Sequence, residues 1–110
     1  MVSVLVKDKY VETLNALGDI QAAVDVALER YTIEQITTKI NSLRALEAEY
    51  EGKYGMDYET FAKRIERDNV LARTLEANGN KMWEADLLDW EFSAKGIQDW
   101  MHRLQSFLLG

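Results

Sequence analysis

The chain contains no cysteine and no proline. Without cysteine there are no disulfides, no thiolate nucleophiles and no thiolate metal ligands. Without proline, nothing in the sequence forbids long, uninterrupted helices. Histidine is nearly missing as well. His102 stands alone, and a helical metal site pairing it with Asp99 would need further ligands from other helices. No apolar run reaches the ~20 residues of a bilayer-spanning helix, and the N-terminus lacks a basic-then-apolar leader. The sequence therefore predicts a cytoplasmic protein without membrane contact. There is no glycine-rich phosphate loop and no Gly-x-Ser-x-Gly elbow. Glu84, Asp86, Asp89 and Glu91 flank an apolar helical stripe as a solvated face, so they are not read as acid–base pairs. No catalytic residue, metal or cofactor is expected, and the chain does not read as an enzyme.

Positive charge is also scarce. The 110 residues carry 13 Lys and Arg against 19 Asp and Glu, a net of −6. Residues 1–44 hold five basic and six acidic side chains, which places the excess of acid in the rear part, at −5. Nucleic-acid binders usually present a basic face; here the front is near neutral and the rear is acidic. An acidic rear suits solubility or a basic protein partner.

What is present is apolar patterning. The 47% hydrophobic fraction is that of a folded protein. Val2, Val4 and Val6 alternate with Ser3, Leu5 and Lys7, the period-two pattern of a strand. Asp8 is placed to cap a first short helix carrying Val11, Leu14 and Leu17. Gly18 turns the chain, and Asp19 caps a second helix with Ala23, Val24, Ala27, Leu28 and Tyr31 on one face. A single short strand cannot satisfy its own backbone. The economical arrangement is a homodimer in which two such strands pair antiparallel over four helices.

From Ile20 the helical pattern continues through Ile33, Ile36, Ile40, Leu43, Leu46 and Tyr50 to about Glu51, roughly 45 Å of helix. Gly52 and Gly55 mark the clearest break. Asp57 then caps a helix, with Met56 and Phe61 placed as a hydrophobic staple and Ile65, Leu71 and Leu75 continuing it. Arg64, Arg67 and Arg73 alternate there with Glu66, Asp68 and Glu76, a mixed solvated face. After a turn at Asn78-Gly79-Asn80, Trp83, Leu87, Trp90, Ala94, Ile97, Met101, Leu104 and Leu108 recur at four-three spacing, a coiled-coil-like seam. Two readings fit the tryptophans. They form a core, or Trp83, Leu87, Trp90 and Trp100 anchor a partner, since Trp is enriched at binding hot spots.

The segments VSVLV, TLNALG and AAVDVALERY resemble, in order, the strand, first helix and second helix of ribbon-helix-helix repressors and antitoxins. EAEYEGKYGMDYETFAKRI and WEADLLDWEFSAKGIQDW are similar to the rear parts of some small prokaryotic antitoxins. The resemblance implies a mainly α fold with one short N-terminal strand paired across a homodimer and long C-terminal helices behind it. Residues 1–50 would be the ribbon-helix-helix dimerisation module with an extended second helix, and residues 51–110 a helical partner-binding region. It implies an antitoxin of a toxin–antitoxin pair that masks a small toxin with its rear helices. Operator DNA would be read by Ser3, Leu5 and Lys7 in the major groove. Leu5 departs from the polar residue usual at that position and can touch only a thymine methyl. The alternative is a structural helical homodimer whose strand only dimerises and never meets DNA.

Overall fold

The computed structural model describes residues 1–67 and 69–110; Asp68, one of the acids on the mixed face, lies outside them. The fold is helical: α1 is Asp8–Leu17, α2 Ile20–Tyr54, α3 Tyr58–Arg67, α4 Val70–Ala77 and α5 Trp83–Leu109. The chain divides into two compact units, Met1–Gln35 and Ile36–Gly110, and α2 runs from one into the other.

The mainly α expectation agrees with this structure, but the N-terminal strand does not. Among the described residues there is no strand, and residues 1–7 have no regular structure. Val2, Val4 and Leu5 are almost wholly exposed. The physical reason is that alternation alone does not make a strand; a ladder needs a second strand, and none is present among the described residues. The ribbon-helix-helix architecture is therefore corrected to an all-helical one.

Several turns were legible. Asp19 Oδ2 accepts the Ala22 amide at 3.0 Å and starts α2. Asp57 Oδ1 accepts the Thr60 amide at 2.8 Å and starts α3. Gly18, Gly55 and Gly79 have positive φ, and a side chain is disfavoured at each of these turns. Three details differ. Asp8 is the first residue of α1 instead of its cap. Gly52 lies inside α2, which reaches Tyr54, because a lone helical glycine costs only about 1 kcal/mol. The single helix expected after Asp57 is two, α3 and α4.

In the unit Ile36–Gly110, the contacts between α2 and α5 run in opposite chain order. Tyr54 meets Asp86, Tyr50 meets Trp90, and Arg44 reaches Met101. The two helices are therefore antiparallel. Gly96 is what lets them come close: a Cβ there would lie 2.9 Å from Leu43 Cδ1. Gly96→Ala is expected to be near neutral, since Leu43's methyl end can give and the helix gains about 1 kcal/mol of propensity. Gly96→Val adds branches that cannot be accommodated so easily, and thermal denaturation should register a loss of about 1–3 kcal/mol.

Candidate interaction surfaces

The centre of the second unit is an aromatic cluster. Trp90 and Phe61 are fully buried, with Ile36, Ile40, Ile97 and Ser93 completing the buried set. Four rings surround the Trp90 indole: Tyr50 and Tyr54 stacked at 5.7 Å, Phe61 at 5.3 Å, and Tyr58 edge-on at 5.9 Å. The α2 stripe, the start of α3 and the α5 seam thus converge on one side chain. The indole Nε1 has no hydrogen-bond partner among the described residues, which costs about 1–3 kcal/mol.

The tyrosine hydroxyls point outward to α5 carboxylates. Tyr54 Oη donates to Asp86 Oδ2 at 2.5 Å, and Lys53 Nζ pairs with the same oxygen at 2.5 Å. Asn80 Nδ2 donates to Tyr54 Oη at 3.2 Å, tying the turn before α5 to the end of α2. Burial pushes the Asp86 carboxyl up, but the hydrogen bonds from Lys53 and Tyr54 and the Lys53 charge outweigh it and hold it below its ordinary range. Tyr50 Oη donates to Asp89 Oδ2. That hydrogen bond, with desolvation behind it, pushes the Tyr50 hydroxyl up to about 12.

The sign follows from linkage. A phenol whose folded value lies above its unfolded value of about 10 stabilises the fold below pH 10, and that contribution is lost as pH rises toward 12. Phenolate absorbance should therefore show Tyr50 ionising late, together with alkaline unfolding. Asp89→Ala is expected to move that transition down toward pH 10.

The side chains proposed from sequence as partner anchors are not equivalent. Trp90 is enclosed and offers no surface. Trp83, Leu87 and Trp100 are half-buried. The Trp83 indole N–H donates to Glu76 Oε1 at 3.1 Å, bridging α4 and α5. The Arg103 guanidinium lies 5.2 Å over the Trp100 ring. Two exposed side chains escaped the four-three count. Leu88 and Phe92 are 67% and 68% exposed and line a shallow groove of about 310 Å³ with Glu91, Lys95, Gly96 and Asp99. Their signal was an apolar pair four residues apart, off the seam.

The unit Met1–Gln35 has a different character. None of its residues is buried. Tyr10, Leu17, Val26, Leu28 and Tyr31 are all exposed, as are the valines of the N-terminal segment. Leu14, Leu17, Ala22, Ala23, Val26 and Ala27 line an apolar groove of about 460 Å³, with Asp19 at one end and Arg30 at the other. An isolated helix as short as α1, at ten residues, is marginal in water, so packing must hold it. Ser3, Leu5 and Lys7 lie in the exposed segment before α1. Their entry into a DNA groove required a paired ribbon, and no strand is present among the described residues.

Among the described residues, no three His, Cys, Asp or Glu side chains gather in a way that could hold a metal ion. No helix among them is long and apolar enough to cross a membrane. Compared with family models, curated proteins and solved structures, the chain matches none.

Proposed function

We propose that this chain is a protein-binding module that acts by stoichiometric association, without turnover. One observation carries the reading: the unit Met1–Gln35 forms α1 and the first part of α2 without one fully buried residue, and leaves Tyr10, Leu17, Val26, Leu28 and Tyr31 exposed. Folded proteins do not normally leave so many large apolar side chains and an apolar groove to water together, and association is the simplest way to cover them.

The specific role we propose is that of an antitoxin, which rests on the resemblance of the rear segments to small antitoxins. In that role Leu88 and Phe92, beside half-buried Trp83, Leu87 and Trp100, would cover a small cytoplasmic toxin. The acidic rear would steer a basic toxin onto that face.

The test is capture from native cells followed by a growth assay. The expected result is a small partner in fixed ratio that arrests growth when expressed alone and is neutralised by this chain. Leu88→Asp and Phe92→Asp together should abolish the neutralisation. A chain that brings down no growth-arresting partner would overturn the antitoxin role. A second reading, the structural homodimer without DNA binding, is favoured by the opposite charges at the two ends of the N-terminal groove.

A further inference from the structure

The N-terminal groove has a symmetry in its sequence that names its occupant. Asp19, Ala23, Val26 and Arg30 follow at intervals of four, three and four, and all four line the groove. At 100° per residue, the eleven positions from Asp19 to Arg30 return to within about 20° of the same face, some 16 Å apart along the axis. The stripe is acidic at one end, basic at the other and small and apolar between. Turned end for end, it matches itself: position 19 falls opposite 30, 23 opposite 26, and 22 opposite 27.

We propose that a second copy of this chain seats on the groove, with the two α2 segments antiparallel and Asp19 of each copy paired with Arg30 of the other. This rests on the reading of residues 1–35 as an association surface and adds the partner and the register. Three features support it. Ala22, Ala23 and Ala27 let two helices approach closely over their middle, where Val26 supplies the larger contact. The Arg30 side chain forms no ion pair among the described residues. Asp19 spends Oδ2 on the Ala22 amide and leaves Oδ1 to accept another donor. A uniformly acidic or basic partner would satisfy one end of the groove and repel the other; an antiparallel copy satisfies both.

The test uses the full chain with Asp19→Arg and Arg30→Asp made in separate molecules. Self-association measured by sedimentation should weaken about tenfold or more for each variant alone, since like charges then meet at both ends. Mixing the two variants restores complementary ends, so a heterodimer should form at close to the native affinity. Asp19→Arg also removes the α2 cap, and a second measurement avoids that change. Because the chain has no cysteine, a disulfide between Ala23→Cys and Val26→Cys chains reports their juxtaposition directly. The two mixed should cross-link under mild oxidation, whereas Arg30→Cys chains should not cross-link to themselves. A dimer indifferent to both charge changes and without the 23–26 cross-link would overturn the antiparallel register. A monomer whose first 30 residues are readily proteolysed would overturn the second copy and leave the surface to a different protein. A monomer that resists proteolysis there would overturn the association reading itself.

Discussion

Trp90→Ala is expected to destabilise the second unit by about 3–5 kcal/mol, a large share of the roughly 5–15 kcal/mol that holds a small domain folded. The reason is geometric. Tyr50, Tyr54, Tyr58 and Phe61 all pack on the one indole, so its removal leaves a void touched by three helices. Each ring pair adds about 0.5–1.5 kcal/mol beyond the burial itself. Trp90→Phe should cost much less. It keeps an aromatic ring in the centre and deletes the indole N–H, which has no acceptor among the described residues. Urea titration of the three proteins checks the order. A loss under about 1 kcal/mol for the alanine variant, well short of the usual core truncation, would remove Trp90 from the centre of the fold.

The second large effect contrasts two positions on one helix. Ile40 is 6% exposed and Leu28 is 59% exposed, although both lie in α2. Ile40→Ala should cost about 2–5 kcal/mol, as buried aliphatic truncations do. Leu28→Ala should change the stability of the chain by no more than about 0.5 kcal/mol. Denaturant midpoints at one protein concentration measure both. Equal losses would mean that the helix is packed alike along its length, contrary to the two-unit division.

The parts of this structure that were legible in the sequence are those fixed by local chemistry. Asp19 and Asp57 were readable as caps because a short carboxylate can accept the free amides of a helix's first turn, although the same sign at Asp8 put the cap one residue late. The α5 seam was readable from its spacing, and Trp90 and Ile97 on it are indeed buried. What escaped was what depends on distant residues. Val2 to Val6 alternate like a strand, but pairing is a property of two segments and the alternation shows only one. That α3 ends at Arg67 and a separate α4 starts at Val70 was not read because neither glycine nor proline occurs there, although the six-residue step from Ile65 to Leu71 departs from three-four spacing. Gly52 was overread, since one glycine weakens a helix without ending it. Periodicity also identified Trp83, Leu87, Trp90 and Trp100 as a group without separating enclosed from half-buried members. That separation is set by where Tyr50, Tyr54 and Phe61 fall on neighbouring helices. The outward pair Leu88 and Phe92 lies off the four-three seam, so the period that marks the seam does not include it.

The claim at the centre of this account is that residues 1–35 have no core of their own and are held by association. Amide hydrogen exchange across a range of protein concentrations tests it most directly, because local opening is read residue by residue. Protection in α1 and in α2 up to Arg30 should rise steeply with concentration, while protection around Ile40, Phe61, Trp90 and Ile97 should stay constant. Protection of α1 that is strong at the lowest concentration, with no partner protein present and no change on concentrating, would contradict the claim.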